Sequence, residues 1–277
     1  MLKSKHPPKA GVMGWPVDHS LSPRLHGWWL ERYGLEGSYM RLLVPAEDLP
    51  LALKKLCRQG FRGVNLTVPH KEAALLYMDH IDPMARRTGA VNTVLVSPDG
   101  ALEGRNTDVF GFAQNLLSTG YAPRGRPAAI LGAGGAARAA IVALLDAGAS
   151  EIRIINRTPA RAGVLAESFG PCLSAYGWDD LPAALEEAEL LVNATSLGMK
   201  GQPPLICDLT RLPGDALVTD MVYAPLETGL LRNAKLRGNR VLDGLGMLLH
   251  QARPAFEGFF GQAPEVTEEL RRFVLEG

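Results

Sequence analysis

A run of apolar residues that breaks into closely spaced glycines constrains the fold of this chain more than any other stretch. Residues 128–131 are apolar, and an alanine-rich helical pattern begins at Ala136. Between them stand Gly132, Ala133, Gly134 and Gly135. This order predicts a buried strand, a tight turn at Gly132 and a helix N-terminus, where Gly134 permits the close approach of a pyrophosphate. Because free N–H groups and the dipole of a helix start favour anions, the stretch predicts a phosphate-binding turn.

The elements around this turn favour nucleotide binding over an ordinary strand-to-helix turn. The helical pattern covers residues 136–147 and closes at Gly148, and a second apolar strand follows at residues 151–155. Together these elements form a complete βαβ unit of the expected length. A βαβ turn that binds no nucleotide is the alternative, because tight turns of this composition also occur in other α/β proteins.

The residues after the second strand indicate which dinucleotide is bound. They are Asn156, Arg157, Thr158 and, one helical turn later, Arg161. An NAD site usually has an acidic residue here for the ribose 2′-hydroxyl. Two guanidinium groups are instead suited to a 2′-phosphate, which predicts NADP as the cofactor. A solvated helix start is the alternative.

The composition is typical of a globular protein that binds a small molecule. The chain has 277 residues, 47% apolar and 21% charged, which is enough for two domains. Its 29 basic residues balance 29 acidic ones, so no overall field attracts nucleic acid or an anionic membrane. The N-terminus lacks an apolar signal core and no apolar run has the length of a membrane span, which predicts a cytoplasmic protein. Three widely spaced cysteines fit neither a disulfide framework nor a zinc site, and no metal is expected.

Strands alternate with helices in the first part of the chain, which predicts a parallel sheet. Strands are expected at residues 10–15, 38–44 and 61–68, and helices at 22–34 and 49–57. Ser20 and Ser22 precede the first helix, where both hydroxyls are placed to meet a polar or anionic ligand. The alternative is that Ser22 is simply the N-cap before Pro23.

Three polar residues are expected at the end of the third strand. Asn65 and Thr67 fall on one face, because side chains alternate along a strand. Lys71 follows where residues 69–71 turn into a new helix, whose dipole opposes an ammonium there. Since ligands bind beyond the carboxyl ends of the strands in open α/β sheets, this rim predicts a substrate pocket. A solvated Lys71 is the alternative.

A β-hairpin is predicted within residues 90–108, with a turn at residues 97–100. Asn92 lies near its start and Asp108 at its end. Asp108 precedes a helical pattern, so an N-cap carboxylate is the alternative to a catalytic role, and the two roles are compatible.

The last third of the chain supplies further candidates at strand ends and helix starts. Thr195 ends one strand, and Tyr223 lies in a loop after another. His250 and Gln251 are neighbours on a predicted helix and point about 100° apart, so only one of them faces a given pocket.

Several of these stretches, in order and over nearly the whole chain, together resemble the shikimate dehydrogenase family. The matching motifs are Ser20-Leu-Ser-Pro, Gly63-Val-Asn-Leu-Thr-Val-Pro-His-Lys, Ala90-Val-Asn-Thr, Asn106-Thr-Asp, Gly132-Ala-Gly-Gly-Ala, Asn156-Arg-Thr, Asn193-Ala-Thr-Ser, Tyr223 in its loop, and Gly244-Leu-Gly-Met-Leu with Gln251.

The resemblance implies an α/β protein of two domains with a cleft between them. Residues 1–108 would form an N-terminal substrate domain with a mostly parallel sheet, and residues 109–247 a Rossmann domain that binds NADP. Two helices would join the domains, and the C-terminal helices, residues 248–277, would return to the first. The reaction implied is the reversible reduction of 3-dehydroshikimate to shikimate by NADPH.

Site residues carried over by motif match fall into three groups. Lys71 would be the acid/base residue, with Asp108 beside it. The substrate would be bound by Ser20, Ser22, Asn65, Thr67, Lys71, Asn92, Asp108, Tyr223 and Gln251. The cofactor would be bound by Gly132, Ala133, Gly134, Gly135, Ala136, Asn156, Arg157, Thr158, Arg161, Thr195, Met221 and Gly244.

Two other functions are weighed against this one. A quinate or quinate/shikimate dehydrogenase shares the architecture but often uses NAD, against which Arg157 and Arg161 argue. A non-catalytic NADP-binding sensor would not need Lys71 and Asp108 in one pocket. We expect a small-molecule substrate, no nucleic acid or membrane partner, and a monomer or homodimer.

Overall fold

The computed structural model describes residues 7–276, and the chain divides into two compact units. One unit comprises Met1–Asp108 together with Leu249–Gly277, and the other comprises Val109–Leu248.

A six-stranded mixed sheet forms the centre of the first unit. Its strands are β1 (Lys9–Gly14), β2 (Ser38–Leu43), β3 (Phe61–Leu66), β4 (His80–Ile81), β5 (Thr93–Val96) and β6 (Leu102–Arg105). They lie in the order β2-β1-β3-β5-β6-β4. The β1–β2, β1–β3 and β4–β6 pairs are parallel, whereas the hairpin strands β5 and β6 run antiparallel to each other and β5 runs antiparallel to β3. The predicted mostly parallel sheet and the hairpin are confirmed.

Helices cover both faces of this sheet. They include α1 (Ser22–Arg32), α2 (Leu49–Lys55) and α3 (Pro83–Thr88). Met13 of β1 packs with Leu49 of α2 in one buried cluster, whereas Ala10 and Val12 of β1 pack with Phe259 in another. Because side chains alternate along β1, a strand buried on both sides contributes to both clusters.

The second unit contains a sheet in which all strands are parallel. Its strands are β7 (Pro127–Leu131), β8 (Glu151–Ile155), β9 (Leu173–Tyr176), β10 (Leu190–Asn193), β11 (Leu217–Asp220) and β12 (Arg240–Leu242), in the order β12-β11-β10-β7-β8-β9. The helices of this part of the chain are α4 (Asp108–Leu117), α5 (Gly135–Asp146), α6 (Pro159–Phe169), α7 (Leu181–Leu185), α8 (Gly229–Leu236) and α9 (Leu245–Phe260). The chain order reverses between β7 and β10, and ligands bind at such a switch point in doubly wound sheets.

The path of the chain links the units through two helices. α4 begins at the last residue of the first segment, and α9 begins in the second unit and ends in the first, where α10 (Glu268–Leu275) follows. The predicted α/β class with a Rossmann-type sheet is confirmed. Within residues 7–276, no helix is both long enough and apolar enough to span a membrane.

Candidate active site

Lys71 and Asp108 form a short, largely buried ion pair in the first unit. Nζ of Lys71 lies 2.6 Å from Oδ2 of Asp108, and the two side chains are 18% and 5% exposed. Lys71 is therefore not a solvated surface lysine. A partly buried ammonium held by a carboxylate is suited to donate a proton to an oxygen placed beside it.

The expectation that a new helix begins at Lys71 is wrong. The backbone carbonyl of Lys71 accepts a hydrogen bond from the N–H of Val91, 2.7 Å away, and His70 Nε2 lies 2.8 Å from the carbonyl oxygen of Val44. These contacts with distant segments, one after β2 and one before β5, hold Lys71 in a turn, and only a 3-10 helix of five residues, Ala73–Tyr77, follows. The ammonium is thus not opposed by the dipole of an α-helix.

Asp108 is the first residue of α4, and its side chain does not cap that helix. Oδ1 accepts a hydrogen bond from Nδ2 of Asn92 at 2.9 Å, while Oδ2 faces Lys71. The backbone N–H of Asp108 donates to Oδ1 of Asn106 at 3.0 Å. Because the side chain of Asn106 accepts the hydrogen bond from the backbone N–H at this helix start, the carboxylate of Asp108 is available to Lys71 and Asn92.

Asn92 connects this pair to the rest of a buried polar network. Its Nδ2 lies 2.9 Å from Oγ1 of Thr107 and 3.3 Å from Oε1 of Gln251. Its Oδ1 accepts from the N–H of Thr107 at 2.7 Å and from Oγ1 of Thr93 at 3.1 Å. Gln251 therefore joins the network of Asn92.

His250, the neighbour of Gln251, is half-buried elsewhere on α9. Its Nδ1 has no hydrogen-bond partner among the described residues. Burial, followed by the nearby Arg253 guanidinium, lowers the pKa of His250. Of the two neighbours, Gln251 is the one bonded to Asn92.

Asn65 and Thr67 lie at the carboxyl end of β3 but are held differently. Nδ2 of Asn65 lies 3.0 Å from Oγ1 of Thr93 and 3.3 Å from the backbone oxygen of Asn92, so Asn65 belongs to the same network. Thr67 follows the last residue of β3 and lies over Gly14: a Cβ added to Gly14 would stand 2.3 Å from Cγ2 of Thr67. Glycine at position 14 thus makes room for the Thr67 side chain.

Ser20 and Ser22 form a separate pair. The N–H of Ser22 donates to Oγ of Ser20 at 3.3 Å, and Nη2 of Arg41 donates to the backbone oxygen of Ser20 at 2.7 Å. Leu21 is the N-cap residue and Ser22 is already inside α1, so the alternative of Ser22 as the N-cap is wrong. Within residues 7–276, neither serine hydrogen-bonds to the network of Lys71 and Asp108.

The glycine turn of the second unit has the geometry that a phosphate-binding turn requires. Gly132 has a φ of +109°, and a Cβ there would stand 3.0 Å from Cγ2 of Thr195. Gly134 is the N-cap of α5, and a Cβ there would have no atom within 4 Å. Gly132 is thus required by the turn itself, whereas Gly134 leaves open space at the helix start. This open helix start fits a pyrophosphate.

The two arginines predicted to bind a 2′-phosphate are exposed at the carboxyl end of β8 and the start of α6. Nη2 of Arg161 lies 3.5 Å from the backbone oxygen of Ala133 in the glycine turn. Beside them, Nδ2 of Asn156 donates to the backbone oxygen of Thr158 at 2.9 Å. The guanidinium of Arg161 therefore lies beside the glycine turn, where an anionic cofactor would place its phosphates.

A second polar cluster lies at the ends of β10 and β11. Oδ1 of Asn193 accepts from Oγ1 of Thr195 at 2.7 Å, and Nδ2 of Asn193 donates to Oδ1 of Asp220 at 2.9 Å. Asp220 also accepts from Oγ1 of Thr228 at 2.7 Å and from the N–H of Val222 at 2.9 Å. Burial raises the pKa of the Asp220 carboxyl. This cluster fixes the backbone on both sides of Met221.

Gly244 and Tyr223 lie in the same unit. A Cβ at Gly244 would stand 2.6 Å from the carbonyl carbon of Met221, so only glycine fits against that backbone. Tyr223 is partly exposed and follows Met221 by two residues. Within residues 7–276, no group of three or more His, Cys, Asp and Glu side chains has the arrangement of a metal site.

Several residues that take part in these clusters had no role assigned from the sequence, among them Thr93, Thr107, Asn193, Asp220 and Tyr39, whose hydroxyl donates to Oδ1 of Asn65 at 2.7 Å. Thr107 and Asn193 stand inside motifs that were recognised, so their positions carried a signal. Asp220 directly precedes Met221, and a lone acid at the end of an apolar strand is a further signal. No such signal exists for Tyr39, because an alternating strand pattern does not show to which residue of a neighbouring strand a tyrosine hydroxyl hydrogen-bonds.

Comparisons with known proteins identify the family of this chain. Residues 12–94 match the family model for the shikimate dehydrogenase substrate binding domain, and residues 118–199 match that for shikimate / quinate 5-dehydrogenase. The shikimate dehydrogenase (NADP(+)) of Paramagnetospirillum magneticum is 54% identical over 268 residues, which cover 96% of this chain and 97% of that protein.

Solved structures give the same result. The shikimate 5-dehydrogenase of Thermus thermophilus in complex with NADP(H) and shikimate is 43% identical, with a TM-score of 0.87 over 97% of this chain and 99% of that one. The quinate dehydrogenase of Corynebacterium glutamicum in complex with NAD is 30% identical, with a TM-score of 0.88 over 98% of this chain and 100% of that one. This chain belongs to the shikimate dehydrogenase family.

Proposed function

We propose that this chain catalyses the reversible, NADPH-dependent reduction of 3-dehydroshikimate to shikimate, a step of aromatic amino-acid biosynthesis. The observation that carries the proposal is an identity of 54% to a shikimate dehydrogenase (NADP(+)) over nearly the full length of both chains. The buried pair of Lys71 and Asp108 supports it, because the reaction needs a proton donor held in place.

Lys71 is the acid/base residue in this proposal. Reduction of a ketone leaves an alkoxide oxygen, which the ammonium of Lys71 protonates through Nζ; in the reverse direction the neutral amine accepts the proton of the substrate hydroxyl. Asp108 holds Nζ at 2.6 Å and offsets its charge. Asn92 in turn fixes the carboxylate through its hydrogen bond to Oδ1.

The remaining substrate-binding residues are proposed from the motif match. Their hydroxyl and amide groups supply donors and acceptors for the hydroxyls and carboxylate of a polyhydroxylated acid: Ser20, Ser22, Asn65, Thr67, Asn92, Tyr223 and Gln251. In the buried network, Asn65, Asn92 and Gln251 are already oriented by hydrogen bonds. Such preorganisation lowers the entropic cost of binding.

NADP supplies the hydride chemistry when it is bound. The residues fit it: the open helix start at Gly134 is suited to the pyrophosphate, and Arg157 and Arg161 to the 2′-phosphate. Ala133, Gly135, Ala136, Asn156, Thr158, Thr195, Met221 and Gly244 complete the proposed cofactor site.

The division of the chain suggests how the tasks are shared. We assign substrate binding to residues 1–108 with the C-terminal helices from 248 onward, and dinucleotide binding to residues 109–247. A cytoplasmic location and a monomeric or homodimeric state complete the proposal.

The test is an absorbance assay at 340 nm of the purified chain with shikimate or quinate, each with NADP+ or NAD+. Shikimate with NADP+ is expected to give the highest kcat/KM of the four combinations. Turnover of quinate with NAD+ as the preferred pair would show instead a quinate dehydrogenase. No turnover with any pair would favour an NADP-binding sensor, provided that NADPH still binds.

A further inference from the structure

The side-chain amide of Asn65 can adopt only one of its two flipped orientations. The backbone oxygen of Asn92, 3.3 Å from Nδ2, only accepts hydrogen bonds, so the NH2 group must point toward it. Oδ1 therefore faces Tyr39, whose hydroxyl lies 2.7 Å away and must donate. The proton of the Tyr39 hydroxyl is committed to Asn65.

The ring of Tyr39 is itself rigidly held. It is buried on β2 and stacks on the imidazole of His26, with ring centroids 3.9 Å apart and an interplanar angle of 6°. His26 is completely buried, and neither of its ring nitrogens has a hydrogen-bond partner within the described residues. Burial lowers the pKa of His26 to about 3, so a neutral ring packs on Tyr39 at physiological pH. The hydroxyl of Tyr39 is thus placed by a packed core, not by a loop.

A directional chain of hydrogen bonds runs from Tyr39 to the carboxylate of Asp108. Tyr39 donates to Asn65, and Nδ2 of Asn65 donates to Oγ1 of Thr93 at 3.0 Å. Oγ1 of Thr93 donates to Oδ1 of Asn92 at 3.1 Å, and Nδ2 of Asn92 donates to Oδ1 of Asp108 at 2.9 Å. Along this path each side chain accepts from the one before it and donates to the next, beginning with the Tyr39 hydroxyl.

We propose that Tyr39 is a positioning residue for substrate binding, which acts by fixing the amide of Asn65. With both N–H groups of Asn65 used by Asn92 and Thr93, the amide offers a ligand only the second lone pair of Oδ1. Asn65 held in this way accepts a hydrogen bond from a substrate hydroxyl. It binds less well any ligand that has at this point an oxygen without a proton, because such an oxygen can only accept hydrogen bonds. The inference rests on the proposed role of Asn65 in shikimate binding.

Tyr39→Phe tests this role because it keeps the ring and its stacking on His26 and removes only the hydroxyl. The KM for shikimate is expected to rise about tenfold, the effect of one misaligned buried hydrogen bond. The kcat and the KM for NADP+ should change less than about threefold, because the lost interaction serves substrate binding and not the chemical step. Tyr121→Phe, at a buried tyrosine of the second unit, is the matched control and should leave the KM for shikimate unchanged.

A double-mutant cycle separates positioning from a general structural effect. In an Asn65→Ala background, Tyr39→Phe should cause no further rise in the KM for shikimate, because the group through which it acts is gone. An equal rise in both backgrounds would overturn the proposal, as would an unchanged KM in the single variant. A wild-type chain that does not oxidise shikimate would overturn the proposed function and this role together, whereas an active wild type with no Tyr39→Phe effect overturns only the role of Tyr39.

Discussion

The cluster around Lys71 and the glycine turn at Gly132 are built by opposite means. The first consists of buried side chains whose hydrogen bonds are already made: Lys71, Asp108, Asn92, Gln251 and Asn65. The second consists of backbone at a helix start with exposed arginines beside it. Proton transfer needs one atom held at one point, whereas a pyrophosphate is bound by several backbone N–H groups and diffuse positive charge.

This difference predicts how each region responds to substitution. In the Lys71 cluster the identity of a side chain matters, and its loss affects turnover. At the glycine turn the absence of a side chain matters, and adding one affects cofactor affinity. A variant of the Lys71 cluster that lost only cofactor affinity, or a variant of the glycine turn that lost only turnover, would contradict this distinction.

Lys71→Ala is expected to have the largest effect on activity. Removing the acid/base group should lower kcat by about a hundredfold or more, with a modest change in the KM for shikimate. Steady-state kinetics with shikimate and NADP+ measure this, and Lys54→Ala on the exposed part of α2 is the control. A kcat equal to that of the wild type would remove Lys71 from the mechanism.

Gly134→Ala is expected to weaken the binding of NADPH and NADH alike, by about ten- to a hundredfold, the effect of losing one or two hydrogen bonds to an anion. The added methyl group meets no protein atom within 4 Å, and the backbone at this residue is extended, so the fold should not be strained. Fluorescence titration of both cofactors measures the affinities, and thermal unfolding should be unchanged. Unaltered affinity would mean that no phosphate approaches Gly134.

Arg157→Ala is expected to affect only one cofactor. It should raise the KM for NADP+ about tenfold, the effect of one lost charge-assisted hydrogen bond, and leave the KM for NAD+ nearly unchanged. Arg211→Ala, which removes another exposed arginine of the second unit, should change neither value. Equal increases for both cofactors would show that Arg157 does not bind the 2′-phosphate.

His26→Phe is expected to change activity least and to alter the acid stability of the fold. The pKa of His26 is lowered from 6.5 to about 3 in the folded chain, so its contribution to stability is complete above pH 6.5 and is lost as the pH falls toward 3. Between about pH 8 and pH 5 this loss amounts to about 2 kcal/mol of unfolding free energy. Urea unfolding across this pH range should show a smaller loss of unfolding free energy in the variant than in the wild type. An identical pH dependence of stability in both proteins would show that His26 does not cause the loss.

Local patterns in the sequence predicted the fold and the glycine turn well. Apolar runs, the spacing from Gly132 to Gly148 and the hairpin turn at residues 97–100 are properties of short segments, so one chain is enough to detect them. The parallel strands β1, β2 and β3, the hairpin of β5 and β6 and the parallel sheet of the second unit follow from these segments.

Non-local contacts limited the prediction of the candidate site. Lys71 lies in a turn and not at a helix start, because its carbonyl oxygen bonds to Val91, twenty positions further along the chain. Tyr39 meets Asn65 because β1, between β2 and β3, pairs with both strands in parallel. Sequence spacing does not contain the strand order, so neither contact was predictable from it.

The most direct test of the distinction between the two regions is NADPH binding by the Lys71→Ala variant, measured by fluorescence titration at equilibrium. If Lys71 serves the chemistry alone, the dissociation constant for NADPH will match that of the wild type while turnover is nearly lost. A dissociation constant raised as far as that of Gly134→Ala would contradict the account, because Lys71 would then contribute to cofactor binding.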